Sequence, residues 1–459
     1  MLSPCRPRSS FSRRYLPIGL ALCITFFASP SPWGSPLPGP PSSPVFPGDP
    51  ARNTPAPKEA DLLRLETAIE FALGGNPGLG EIKARAEAMA AIPSQAEALP
   101  DPTLDLGVLW LPTNNFDVHI DDFTMLNLGV SQTIPFPGKR GLRKKIAEQE
   151  ALAAADSLEE ARLRLIREVK LAWWRLFYYD RALDLTADAE RLLQEVVTVS
   201  QETYRVGQTP QQDVLSARLD LSKLKDERLE LAGLRQVQEA QLNTLLNRDP
   251  DTPISLPREI PLGLPAVNGS ELQARAFQER PLFRQHDKLL EAARSKVDLA
   301  RKEYYPDLTF STAYNYRWNT PTGRTRHDFL SFGVSLNLPI YAADKQAKAV
   351  DQRQSELLQE QYDLQDDHLK VHGEIAVKVA EYRQIRERLL LLEQEILPQS
   401  QQTVHSLRAG YAVNTASFAD WLRAEVARLR YQAQHWRLLT QGQEILAELA
   451  AIVGEDLKP

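Results

Sequence analysis

The sequence predicts a mainly helical chain with a small β part, built as two copies of one unit in which a strand pair is followed by a very long helical hairpin. Three observations predict it. The first is an internal repeat. Asn76-Pro77 returns as Arg280-Pro281, Pro102 as Pro306, Leu128-Gly129-Val130-Ser131 as Phe332-Gly333-Val334-Ser335 and Pro135 as Pro339, all at an offset of 204, whereas Val206-Gly207 returns as Val413-Asn414 and Asp213 as Asp420 at 207. Register kept this far marks a duplicated structural unit whose period is too long for a solenoid. Three residues are therefore added between Pro339 and Val413 in the second copy. The other two observations are paired stretches of period-two alternation and two long stretches nearly free of proline and glycine.

Taken in order, residues 1–33 are predicted to be an export signal: Arg6, Arg8, Arg13 and Arg14 precede an apolar run from Leu16 to Ala28, with cleavage between Ala28 and Ser35. The only cysteines, Cys5 and Cys23, lie in this segment, so the mature chain is expected to hold no disulfide. Leu22 is bulky where a lipid-attachment box at Cys23 wants a small residue. Residues 34–58 are so rich in proline that neither helix nor sheet ladder can form, and read as an extended arm. From residue 59 onward, 48 basic and 59 acidic residues give a net charge of −11, which does not favour nucleic acid as a partner. That part of the chain also lacks the run of about 18 apolar residues that a membrane-spanning helix needs.

The predicted units are 59–247 and 271–456, joined by a connector at 248–270. In the first unit Leu104, Leu106, Val108 and Trp110 alternate with Thr103, Asp105, Gly107 and Leu109; in the second, Leu308, Phe310, Thr312, Tyr314 and Tyr316 alternate with Asp307, Thr309, Ser311, Ala313 and Asn315. Period two is the mark of a strand. Each has a partner strand, one around Leu126 to Ile134 and one around Leu330 to Leu338, apolar on one face and small and polar on the other. Such strands are long enough to cross a bilayer with tilt, and Trp110, Tyr314, Tyr316 and Trp318 cluster near their ends as interface aromatics do. Four strands leave two open edges, which hydrocarbon does not tolerate, so a barrel built from them has to be shared by several chains.

After the strands, Gly138 to Tyr204 has no proline or glycine beyond Gly141, and Asp344 to Leu407 has only Gly373 and Pro398. At ~1.5 Å per residue each would reach on the order of 100 Å. Return helices are predicted over Gln211 to Asn247 and Ser417 to Val453; these are too short alone, so the helices near Leu79 to Leu99 and Leu282 to Glu303 are expected to stack end to end with them.

This arrangement resembles the TolC-like outer-membrane efflux proteins and, among them, the heavy-metal efflux branch. The resemblance is carried by Asn76-Pro77, Tyr305-Pro306-Asp307, the run from Ser131 to Arg140 containing Pro135-Phe136-Pro137-Gly138-Lys139-Arg140, Leu336-Asn337-Leu338-Pro339-Ile340-Tyr341, Tyr204-Arg205-Val206-Gly207 and Gly410-Tyr411-Ala412-Val413. It implies a homotrimer in the cell outer membrane whose chains supply 12 strands to a barrel and 12 helices to a periplasmic tunnel. The trimer would be the passive exit duct for an inner-membrane transporter and a periplasmic adaptor protein. It implies no cofactor and no chemistry. The run Pro135 to Arg140 looks like the branch partnered with heavy-metal pumps, which favours metal ions as cargo over the alternatives, drug or small-molecule efflux or a type I secretion duct.

Sites follow from the resemblance. Asp213, Tyr411, Asp420 and Arg423 are expected at the entrance gate, with Tyr411 bonded to Asp213 and Asp420 as a ring acid. Arg423 stands where a second acid would follow, and pairing with it would weaken a cation preference. Val206, Gly207, Gln208, Thr209, Val413, Asn414 and Thr415 are expected to meet the adaptor. Gly207 and Asn414 are also the residues that most easily end a helix in left-handed geometry. From the alternation itself, Ser131, Ser331, Ser335 and Asn337 are expected to line a water-filled barrel lumen.

Rival sites are weaker. Asp117, His119, Asp121 and Asp122 read as a solvated outer loop rather than metal ligands, and His368 with His372 has no third ligand. Trp173, Trp174, Phe177, Tyr178 and Tyr179 read as interhelical packing rather than a ligand platform. No nucleophile, base or cofactor loop suggests an enzyme. The rival function is a periplasmic coiled-coil adaptor or scaffold, against which two equal units argue.

Overall fold

A computed structural model describes residues 62–258, 260, 263–413 and 415–455. The expected signal segment, the proline-rich arm and Asn414 lie outside the described residues. The first unit runs α1 (Leu65–Gly75), α2 (Pro77–Ala90), α3 (Ile92–Glu97), β1 (Thr103–Leu109), β2 (Met125–Ile134), α4 (Lys139–Arg205) and α5 (Gln211–Leu245). The second runs α6 (Gly269–Glu279), α7 (Pro281–Lys302), β3 (Leu308–Tyr316), β4 (Phe329–Leu336), α8 (Gln346–Leu391), a π-helical turn (Leu392–Ile396), α9 (Leu397–Ala412) and α10 (Phe418–Val453). Among the described residues no helix is apolar and long enough to cross a membrane.

The long helix of the first unit, α4, has 67 residues. In the second unit α8, the π turn and α9 contribute 46, 5 and 16, the same total. The three added residues therefore lie ahead of the helix, in the turn between β4 and α8: the repeat offset is still 204 at Pro339 and already 207 at Lys345, which precedes α8 as Gly138 precedes α4. The π turn has a separate cause. Pro398 has no N–H to give the carbonyl one turn back and its ring crowds that carbonyl, so the helix widens just before it. The first unit has Arg191 there and stays α-helical.

The short helices stack on the return helices. Asn76 caps α2 by accepting the Leu79 N–H (3.2 Å) and donates its own amide to the Leu245 carbonyl at the end of α5 (3.2 Å). In the second unit α10 ends at Gly454, packed on Arg280 at the start of α7. The two X-Pro landmarks of the repeat are thus the two joints. The helix expected over Leu79 to Leu99 is broken at Ala91, where Pro93 starts α3. Side by side, α4 packs on α5 and α10, α10 on α8, and α7 bridges α4 and α8.

Large aromatics fill the contacts. Trp173, Trp174 and Phe177 are buried with Leu242, and Trp173 donates its indole N–H to the Leu63 carbonyl (3.0 Å), so they are core and not a ligand platform. The connector is a strap across the helices. Ile254 and Leu256 sink into the first core, and the Arg235 guanidinium holds the Ile254 carbonyl (3.0 Å). Further on, the Tyr382 hydroxyl donates to the Pro265 carbonyl (2.8 Å), and burial pushes that phenol up to about 12, so it remains a donor. Leu264 lies over Gly442 of α10, where an added Cβ would stand 2.5 Å from the leucine Cδ1. Gly442→Ala is therefore expected to lift the strap and destabilise the fold by about 1–3 kcal/mol, read as a lower denaturation midpoint; an unchanged midpoint would show that Leu264 can swing clear.

The sheet is antiparallel in the order β1-β2-β3-β4, with β1 and β4 as open edges. Its register pairs like with like on the polar face: Asn127 opposite Asn315, Ser131 opposite Ser311, Thr133 opposite Thr309. The other face exposes Leu104, Leu106, Leu330, Phe332 and Val334.

Candidate functional site

Three places carry the expected sites: the two helical tips, the polar face of the sheet, and the joint between sheet and long helices.

The first tip closes α4 with Gly207 at φ 73°, its N–H on the Tyr204 carbonyl (3.0 Å) and the Gln208 N–H on the Thr203 carbonyl (2.9 Å). The Thr203 and Thr209 hydroxyls bond across the turn (3.0 Å). The second tip closes differently, with the Thr415 N–H (2.8 Å) and hydroxyl (3.1 Å) both on the Gly410 carbonyl. Val206 and Val413 are 69% exposed at equivalent places, a match that solvation alone does not favour.

Of the expected gate residues, Asp213 lies in the first turn of α5, and among the described residues no hydrogen bond joins it to Tyr411 within one chain. Tyr411 instead packs on Phe418 (5.3 Å between ring centroids) and Trp421 (6.2 Å), with Arg408 beyond. The first tip has Tyr204, Gln211 and Val214 at the equivalent positions, so this aromatic cluster belongs to the second tip alone. Asp420 is used locally: Ser417, the N-cap of α10, accepts the Asp420 N–H (3.0 Å) and donates its hydroxyl to the Asp420 carboxylate (2.7 Å). Arg423 meets the same carboxylate at 3.5 Å, as its spacing suggested.

On the sheet, Ser131 and Ser331 belong to a polar ladder. Asn127 donates to Asn315 (2.8 Å), Asn315 donates to the Ser331 hydroxyl (2.9 Å), Ser131 bonds Thr103, and Thr133 bonds Thr309 (2.9 Å). Ser335 faces the same side opposite Thr309. Asn337 lies one residue beyond β4 and accepts the Asp307 N–H (2.5 Å).

The joint is marked in the sequence only as part of a resemblance. Lys139, the first residue of α4, has no exposed surface and donates to Glu303 (3.1 Å), Asp307 (2.9 Å) and the Tyr305 carbonyl (2.9 Å). Asp307 also accepts the Phe136 N–H (2.8 Å), and Phe136 stacks on Tyr305 at 4.5 Å. Burial would raise the Asp307 carboxyl, but the Phe136 N–H and the Lys139 ammonium together hold it below the usual range. One ammonium thus ties the end of β2, the start of β3 and the head of the long helix.

The loop acids are committed elsewhere. Arg326, almost buried, donates to Asp122 (2.6 Å) and to the carbonyls of His119 and Trp318, Asp121 accepts the Phe123 N–H, and Asp117 holds His119. His368 stacks on Phe283 (4.4 Å between centroids).

The model of the outer membrane efflux protein family matches residues 68–248 and 272–455. TtgF, the toluene efflux pump outer membrane protein of Pseudomonas putida, is 25% identical over 233 residues, 49% of this chain and 47% of that one. MdtQ of Shigella flexneri is 24% identical over 195 residues, 41% of this chain and 40% of its own. The chain thus spans less than half the length of these curated relatives. Among solved structures, VceC of Vibrio cholerae aligns with a TM-score of 0.70 at 20% identity, covering 86% of this chain and 97% of that one. CusC aligns at 0.69 and 16% identity, over 86% and 93%. These likenesses establish the fold, strand pair and long hairpin twice over. The chain belongs to the outer membrane efflux protein family, and the outer membrane is where it resides.

Proposed function

We propose that three copies of this chain form a passive outer-membrane exit duct that receives substrate from an inner-membrane pump and a periplasmic adaptor. The observation that carries it is the four-stranded sheet with two open edges and one polar face, continuous with one 67-residue helix and with a second helical column of α8, the π turn and α9. Open edges in a bilayer require further copies, and a polar face turned inward leaves a path for water. The helical wall points the same way. Its outermost helices expose apolar residues, Leu215, Leu219 and Leu229 on α5 and Leu358, Tyr362 and Leu369 on α8, which neighbouring copies would cover.

In this reading the tips are the entrance. Asp213, Tyr411, Asp420 and Arg423 would form the gate between chains, with the aromatic cluster stiffening the second tip. Val206, Gly207, Gln208, Thr209, Val413 and Thr415 would meet the adaptor, the exposed valines at equivalent places offering it one repeated contact. Metal ions are the cargo proposed first, on the likeness of Pro135 to Arg140. That run includes the Lys139 joint, so selection of cargo is assigned to the inner-membrane partner. Purified protein in planar bilayers is expected to conduct in steps; bilayers that stay sealed would instead favour the scaffold reading.

A further inference from the structure

The duplication relates what happens inside one chain to what happens between chains. Inside a chain, β2 pairs with β3, placing Thr133 opposite Thr309 and Ser131 opposite Ser311 on the polar face. Moving the β2 residues forward by the repeat offset of 204 gives positions on β4 and just beyond, and moving the β3 residues back by it gives positions on β1. Thr133 becomes Asn337, Thr309 becomes Asp105, Ser131 becomes Ser335 and Ser311 becomes Gly107. β1 and β4 are the two strands whose outer edges are empty.

We propose that β4 of one copy pairs with β1 of the next in this register, with Asn337 set opposite Asp105 on the inward face at every seam. This rests on the duct reading above and goes on to name its subunit contact. The chemistry of the pair is complementary. The Asn337 Oδ1 is taken by the Asp307 N–H (2.5 Å), so the group it offers across the seam is its NH2, a donor. A carboxylate accepts only. The hydroxyl pair Thr133 and Thr309, 2.9 Å apart within the chain, is replaced between chains by an amide and an acid.

The pairing has a consequence for the path. Asp105 is the only Asp, Glu, Lys or Arg in the four strands, and it lies over Gly129 on the polar side. Three seams set three Asp105 carboxylates around the lumen at the strand ends nearest the helices. The acid of the second tip, by contrast, is shared with Ser417 and Arg423. The barrel root then supplies a second ring of fixed negative charge for a passing cation, beyond the acids of the tips.

Cysteine pairs test the register. Residues 62–455 contain no cysteine, and directly opposite residues on antiparallel strands have Cβ atoms about 4.5–5.5 Å apart, close enough to the disulfide range for the backbone to adjust. On mild oxidation, D105C/N337C and, in the same register, G107C/S335C are expected to give covalent trimers on non-reducing gels that a thiol reductant dissolves. Neither partner alone should. The two hairpins of one chain differ in register by two residues, Thr103 facing Ser131 in one and Thr309 facing Ser335 in the other, so the rivals are D105C/S335C and D105C/P339C. Cross-linking through either rival and not through D105C/N337C or G107C/S335C overturns the proposal. Oligomers that conduct but cross-link through none of the four pairs also overturn it while leaving the duct intact; no oligomer and no conductance removes the duct reading itself. Asp105→Asn is expected to lower the cation preference of the conducting channel several-fold, and an unchanged reversal potential would remove the charge ring.

Discussion

Lys139→Ala is expected to loosen the root of the barrel more than any other single removal of charge. The ammonium is wholly buried and meets two carboxylates and a carbonyl. Removing it leaves Asp307 and Glu303 with Arg143, 3.7 Å from Glu303, as the remaining cation. The Glu303 and Asp307 carboxylates left behind are 39% and 21% exposed, so losing the buried donor costs about 1–3 kcal/mol, against at most about 1 kcal/mol for an exposed pair. Lys145→Ala, which removes the half-exposed partner of Glu291 less than two turns along the same helix, is the control. The measurement is the midpoint of thermal or denaturant unfolding for both variants, and equal shifts would show that the Lys139 contacts are worth no more than surface ones. The pH dependence has a definite sign. The folded-state Asp307 carboxyl is held below its ordinary value of 3.8, so its contribution is fully present above that value and is lost as pH falls through the lower folded one. In Lys139→Ala burial acts on Asp307 with one fewer counterweight, so its folded-state carboxyl rises toward the ordinary value and the loss of stability on acidification should be smaller than in the parent.

That joint also marks where sequence reading stopped. The repeat, the strand alternation and the two long helices were legible because each is periodic over many residues, and the end-to-end stacking followed from lengths alone. The place of the three added residues was not, since a sequence offset confines them only to the interval from Pro339 to Val413. Only the observed start of α8 assigns them to the turn. Lys139 was invisible as a buried group because nothing local marks it: its partners Glu303 and Asp307 are more than 160 residues away. The two tips divide in the same way. Gly207 adopts the left-handed geometry that its position demanded, a backbone requirement written in one residue. Tyr411, expected to bond Asp213 at the gate, packs within the chain on Phe418 and Trp421, which stand at helical spacing in the sequence. The Ser417-to-Asp420 cap came from the structure alone, and it shows why an acid at a helix start is first a capping group and only then a candidate ring charge.

Gly454→Ala is expected to disturb the second large-effect site, the stack of α10 on α7. Gly454 and Gly207 both hold positive φ at helix ends, 85° and 73°, so alanine at either meets the same backbone penalty, about 1–2 kcal/mol. Their surroundings differ. A Cβ at Gly207 would have nothing within 4 Å, while at Gly454 it would lie 2.8 Å from the Arg280 Cα and 3.1 Å from its nitrogen. Backbone cannot swing aside as a side chain can, so the second variant has to open the joint, adding about 1–3 kcal/mol. The displacement also pulls on Arg280, whose guanidinium meets Glu160 of α4 at 2.7 Å in a largely buried pair. Gly207→Ala should therefore cost about 1–2 kcal/mol and Gly454→Ala roughly twice that or more, compared by denaturation midpoints under one set of conditions. If the two variants shift equally, the close approach at Arg280 relaxes freely and the two helices are butted together rather than locked. If Gly454→Ala alone lowers stability steeply, the continuity of the second helical column rests on one residue that has no side chain.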